Sequence, residues 1–301
     1  MKYRVHHRTT VRYADMVRLA RFNLRLEPAD YAPQRVSRYH LSVSPRPSRI
    51  EQRDAVQFPV KVARLVIDSP LEQLVVDCRF EAEVLLAESP VAEAGDPTIA
   101  EVGRVALMVD DLGGWAPASY LYASPRVPLD TTIGDWAAPT LGRDRPVVEA
   151  ALDLAQRIRA QFDYVPGATD TDTPVSEAFA EKRGVCQDFA HIMLVALRMA
   201  GLPAAYVSGY LRTWPPPGKP RLLGADATHA WVMLWCGPQR GWIGFDPTNG
   251  VTAGPDHIFV AMGRDYDDVL PMDGMFIGPA GQKMDVQVDV LPLTEDAVSA
   301  T

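Results

Sequence analysis

The stretch THAWVMLWCGPQRGWIGFDPTNG leaves this chain little freedom. Two apolar, aromatic-rich runs, Thr228 to Cys236 and Gly241 to Pro247, flank the turn-forming residues Gly-Pro-Gln-Arg. Such a pair with a short loop between predicts an antiparallel hairpin. With Cys236 opposite Gly241, Trp231 falls opposite Asp246 and His229 opposite Thr248. Side chains alternate between faces, so His229 and Trp231 share one face, and Asp246 lies diagonal to His229 on it. A slip of one residue would send the imidazole and the carboxylate to opposite faces.

Upstream, EKRGVCQDFAHIMLVALRMAGLP places a cysteine ahead of an apolar stripe at i, i+3, i+4, i+7: Phe189, Ile192, Met193, Ala196, Leu197 and Ala200. Gly201 suits the C′ position and Pro203 prevents continuation. Cys186 is therefore expected at the N-terminus of a buried helix, where unpaired N–H groups and the dipole favour a thiolate. Gly184 lets the backbone approach closely, and the N–H of Cys186 can serve an oxyanion. Alone, a buried cysteine needs no function. Set beside the hairpin, it reads as a nucleophile, with His229 as general acid/base and Asp246 orienting the imidazole. His191 follows Cys186 at i+5, about 500° around a helix, and no CxxC or HExxH pairing is present, so no metal is expected. His191 reads as a packing or hydrogen-bonding residue.

The remainder predicts an α+β chain. The first ninety residues hold short runs with partial period-2 alternation (YRVHHRTTVRYA, RYHLSVSP, VKVARLVID, QLVVDCRFEAEVLL), which suggests an antiparallel, sandwich-like β domain over residues 1–95. His6, His7 and His40 read there as surface or satisfied strand histidines, and Cys78 as a buried small hydrophobe. Residues 96–145 read as a connecting region of short helices and loops. From 146 to 301 a core with a C-terminal extension is expected. In it Pro146 opens a helix, Thr173 and Pro174 start a shorter one, and a Pro-rich loop, RTWPPPGKPRLLGAD, precedes the hairpin. The 301 residues carry a formal net charge of -8 and no Lys/Arg-rich run, which argues against nucleic acid or an anionic membrane as partner. No apolar run approaches the roughly 20 residues of a membrane span, and the start has no secretory h-region. Three cysteines do not make a disulfide framework, so a cytoplasmic, reducing setting is expected.

The motifs RGVCQDFAHIMLVALRMAGLPAAYVSGYL, THAWVMLW and GWIGFDPTNG resemble those of the transglutaminase-like superfamily. HIFVAMGRDYDDVLPMDG and the N-terminal FNLRLEPAD are similar to its bacterial members. The resemblance implies a papain-like core, in which a helix bearing the cysteine packs on an antiparallel sheet bearing histidine and aspartate. It also implies Cys186, His229 and Asp246 as its triad, with Gln187, Asp188, Trp231, Asp265 and Tyr266 lining the site or packing behind it. Met233 stands where the pattern often has an acidic residue, which makes the site less polar. The superfamily includes cross-linking enzymes, cysteine peptidases, amidases and non-catalytic members. Related bacterial proteins often accompany ATP-grasp and α-helical companion proteins. The preferred expectation is a cysteine protease or amidase acting on a peptide or protein, without cofactor. Transglutamination, with a lysine amine replacing water, and a non-catalytic scaffold are the alternatives.

Overall fold

Alternation in Lys2–Val17 shows how the N-terminal part is built: Tyr3, Val5, His7, Thr9, Val11 and Tyr13 point inward, while Lys2, Arg4, Arg8 and Arg12 face solvent. A computed structural model describes residues 1–55, 57–111, 113–213, 228–278 and 281–293. In chain order the strands and helices begin with β1 (Lys2–Val17), β2 (Leu19–Leu24), β3 (Gln34–Ser44), β4 (Arg49–Asp54), β5 (Lys61–Ile67) and β6 (Leu71–Val84). Then come α1 (Ile99–Ala106), α2 (Thr131–Ala137), α3 (Val147–Gln161), β7 (Asp163–Tyr164), α4 (Val175–Glu181), β8 (Arg183–Gly184) and α5 (Cys186–Met199). The last part holds β9 (Ala204–Leu211), β10 (Thr228–Trp235), β11 (Trp242–Asp246), β12 (Val251–Thr252), β13 (His257–Gly263), α6 (Tyr266–Val269), β14 (Met272–Ile277) and β15 (Gln282–Pro292). None of the helices among the described residues is long and apolar enough to cross a membrane.

Two antiparallel sheets, in the orders β15-β1-β6-β3 and β14-β2-β5-β4, form the N-terminal part, and their inward residues join one buried cluster. A third antiparallel sheet, β12-β11-β10-β9-β13, forms the core. Helix α5 packs on β9 and β10, and α2, α3 and α4 pack on α5. The fold is thus α+β, with N-terminal antiparallel sheets and a papain-like core. Helix α5 ends where the sequence suggests. Gly201 takes a φ of 78°, its N–H donates to Arg198 O, and Leu202 N–H donates to Leu197 O at 3.0 Å, a Schellman closure.

Several boundaries differ from the sequence reading. The C-terminal extension does not stay with the core: β15 pairs with β1 from Tyr3↔Pro292 to Tyr13↔Gln282, and β14 pairs with β2. Their pairing is long-range, which local alternation does not reveal. Helix α2, at the end of the expected connecting region, lies against α5, with Gly134 close on Met199. Pro146 and Pro174 sit one residue before their helices, and Thr173 bonds Asp170 instead of capping α4.

The N-terminal sheets brace the core strands. The Gln34 side chain donates to Phe259 O at 2.8 Å and accepts from Phe259 N at 2.9 Å, as a neighbouring strand would. His7 Nδ1 lies 2.9 Å from Tyr210 Oη, and Tyr3 donates to Asp256. Strands β9 and β13 are therefore fixed from the side away from solvent.

Candidate active site

The turn before α5 is built around Asp188. Its Oδ2 accepts from Val185 N–H at 2.8 Å and from Thr169 Oγ1 at 2.6 Å. A Cβ on Gly184 would lie 2.6 Å from that oxygen, so only glycine fits. The parallel pair β7–β8 holds the same turn against Tyr164. Cys186 is the first residue of α5, where its N–H has no intrahelical acceptor. Asp188 is thus a turn-holding residue rather than a lining one, and burial raises its pKa. Gln187 reaches Thr171 O at 3.4 Å.

The hairpin register expected from its loop is the observed one: Val232 faces Phe245, and Trp235 faces Trp242. Extrapolated to the strand ends, it sets His229 diagonal to Asp246. His229 Nε2 lies 2.8 Å from Asp246 Oδ2. Asp246 is fully buried, and its Oδ1 accepts from the N–H groups of Thr248 and Asn249 at 2.9 and 3.2 Å. Its Oδ2 also accepts from Asn249 Nδ2 at 2.6 Å. Burial alone would raise this carboxyl, but the bonds from His229 and His257 hold it well below the usual carboxylate range.

Burial pulls the His229 pKa down, yet its bonds to Asp246 and Cys186 outweigh that and raise it from 6.5 to about 10. Nε2 is committed to the carboxylate, so Nδ1 is the nitrogen left for the thiol. Tyr164 and Tyr206 also approach Cys186; burial raises both phenols and the charge of the sulfur adds to it. Cys78 and Cys236 are buried elsewhere, and burial pushes the Cys78 thiol up to about 12.

Of the other residues expected at the site, Trp231 is buried beside it. Its ring stacks on His229 at 6.1 Å and meets His257 edge-on at 5.3 Å. Trp231, Met233, His257 and Phe259 line a mainly apolar cavity of about 340 Å³ on the Trp231 side of the hairpin. Asp265 caps α6 and accepts from Arg126 N–H at 3.0 Å. Tyr266 turns its N–H to His191 Nε2 at 3.3 Å. His191 is buried, lies against Tyr206, and has a pKa lowered to about 3 by burial, the structural role the sequence suggests. Arg126 ties this corner together, donating to Asp267, Thr171 O and Asp172. Residues 214–227, most of the Pro-rich loop, lie outside the described residues.

Sequence reasoning missed His257. It opens β13, which pairs with β9 rather than with β11, and its Nε2 lies 3.1 Å from Asp246 Oδ2. Among the described residues, His229, Asp246 and His257 are a set whose ligating atoms lie within 4.8 Å of one another. The geometry does not suit a metal. Gly254 N–H donates to His257 Nδ1 at 3.1 Å, so the ring proton sits on Nε2. A neutral imidazole binding a metal through Nε2 would need that proton on Nδ1, against the amide.

The profile of the transglutaminase-like superfamily matches residues 134–247, and that of the bacterial transglutaminase-like N-terminal region matches residues 3–83. The chain is 37% identical over 313 residues to an uncharacterised protein of Mycobacterium tuberculosis, covering 99% of this chain and 95% of that one. It is 38% identical over 129 residues to a protein-glutamine gamma-glutamyltransferase of Pseudomonas aeruginosa, covering 42% of this chain and 19% of that protein. A solved structure from Cytophaga hutchinsonii, provisionally assigned as a cysteine protease, shares the fold at a TM-score of 0.70 and 21% identity. That match covers 98% of this chain and 92% of the other.

Proposed function

This chain belongs to the transglutaminase-like superfamily, and from that premise we propose that it is a cysteine-nucleophile acyl-transfer enzyme acting on peptide or protein amides. Water is its simplest acceptor, which makes it a peptidase or amidase. The observation that carries this reading is the 2.8 Å bond from His229 to Asp246, which leaves Nδ1 for the Cys186 thiol.

In this scheme His229 takes the thiol proton and Asp246 stabilises the imidazolium. The sulfur attacks the amide carbon, and the oxyanion is met by the Cys186 N–H at the helix start. The C–N bond breaks as His229 returns its proton to the leaving amine. His229 then deprotonates a water, which attacks the thioester and frees Cys186. An amine attacking in place of water would give transamidation. The similarity to the Pseudomonas glutamyltransferase favours keeping that second reading.

Incubation with a peptide library containing glutamine, with and without a primary amine, separates the two by mass spectrometry. Hydrolysed products are expected to dominate, and Cys186→Ser should give none. Amine incorporation exceeding hydrolysis would reverse the preference. Turnover left untouched in the serine variant would end the reading of Cys186 as the nucleophile.

A further inference from the structure

We infer that His257, outside the Cys186–His229–Asp246 set, is a positioning residue that keeps Asp246 anchored for His229; the inference rests on the acyl-transfer reading above. Its proton is placed by the fold. Gly254 N–H occupies Nδ1 at 3.1 Å, and His257 N–H donates to Gly254 O at 3.0 Å, so ring and backbone are held at one corner. The remaining N–H, on Nε2, points at Asp246 Oδ2. Trp231 meets the ring at 5.3 Å, and the Gln34 bridge fixes β13 two residues on.

Asp246 has no exposed surface, so donors must replace the water that would otherwise stabilise its charge. Three of them converge on Oδ2: His229, Asn249 and His257. In the proposed cycle the His229 ring gains and loses charge. The donors from Asn249 and His257 do not change, so Oδ2 stays in place while its bond to His229 strengthens and weakens. His257 also lines the 340 Å³ cavity beside the hairpin, and so touches both that space and the carboxylate.

The test compares wild type, His257→Gln and His257→Phe by the rate at which iodoacetamide labels Cys186 near neutral pH, read by mass spectrometry beside unfolding midpoints. Glutamine puts an amide donor near the Nε2 position; phenylalanine keeps the ring against Trp231 but donates nothing. Without the donor Asp246 is no longer held under His229, and Cys186 labelling should fall about ten-fold, the order expected for losing one hydrogen bond to a buried charge, while His257→Gln stays within about three-fold of wild type. A role in packing alone predicts the reverse order. A folded His257→Phe that labels at the wild-type rate overturns the inference, as does a folded His257→Gln that loses about ten-fold. If His257→Phe does not fold, His257→Met takes its place as the variant without a donor, with the same loss of about ten-fold expected and a wild-type rate overturning the inference. Failure of the acyl-transfer reading looks different: wild-type Cys186 would label no faster than Cys78 and Cys236, whatever stands at 257.

Discussion

His229 and Asp246 come from neighbouring strands of one hairpin and meet through Nε2 and Oδ2 at 2.8 Å, which decides the nitrogen that faces Cys186. Asp246→Asn tests this. The side-chain oxygen of asparagine can still accept from the amides of Thr248 and Asn249, which leaves its NH2 facing His229. The imidazole proton must then leave Nε2 for Nδ1, where it blocks transfer from the thiol. We expect a kcat loss of about 10³–10⁴-fold on a library-derived peptide with little change in KM. A loss below about ten-fold would show that the carboxylate does not set the tautomer.

Gly209 lies directly opposite His229 in the sheet. A Cβ there would sit 2.3 Å from Ile258 O and 2.4 Å from the Trp231 ring. Gly209→Ala should therefore destabilise by about 1–3 kcal/mol, read from urea unfolding, and lower activity as Trp231 is displaced. An unchanged midpoint would contradict the packing of Trp231 on this strand.

Stability should peak near pH 6.5. Burial holds His7 at about 4 and His191 at about 3, both below the ordinary 6.5. As pH falls below 6.5 the unfolded chain takes up these protons and the folded chain does not, so stability is lost at up to about 1.4 kcal/mol per unit for each. His229 acts in the opposite direction. Its folded value is raised to about 10, so its contribution is complete below 6.5 and is lost as pH rises towards 10. Unfolding free energies across this range should show a shallower acid limb for His7→Gln and a shallower alkaline limb for His229→Asn. Limbs unaltered by these changes would refute the assignment.

Arg126 gathers Thr171 O, Asp172 and Asp267 with one guanidinium beside the start of α5. A lysine ammonium cannot reach all three acceptors. Arg126→Lys is expected to raise KM several-fold, with kcat within about three-fold and stability within about 1 kcal/mol, since partly exposed pairs contribute little. A kcat effect exceeding the KM effect would place Arg126 in the chemistry instead.

The hairpin was legible because loop length and apolar alternation together leave one register, and the Cys186 helix because its stripe and Gly201 mark both ends. His257 was hidden by topology: it meets Asp246 across the segment, including β12, that joins β11 to β13, strands that do not pair. Asp188 and Asp265 look alike as acids near motifs, but Asp188 spends Oδ2 on the Val185 N–H and the Thr169 hydroxyl and Asp265 spends both oxygens on backbone N–H groups, which residue type alone does not tell. The return of β15 to β1 was unreadable for another reason. Only Val288 and Val290 of that strand are buried, too few to set a pattern.

That return has a consequence for biosynthesis. A ribosome releases β1 and β2 long before it releases their outer neighbours, β15 and β14. Throughout elongation, one edge of each N-terminal sheet waits without its final strand, while the Cys186 helix and the hairpin can already dock. The brace behind β9 and β13 is therefore completed after the chemistry-bearing segments have been made, and a nascent chain cut before Met272 would present two unsatisfied edges to its neighbours on the polysome.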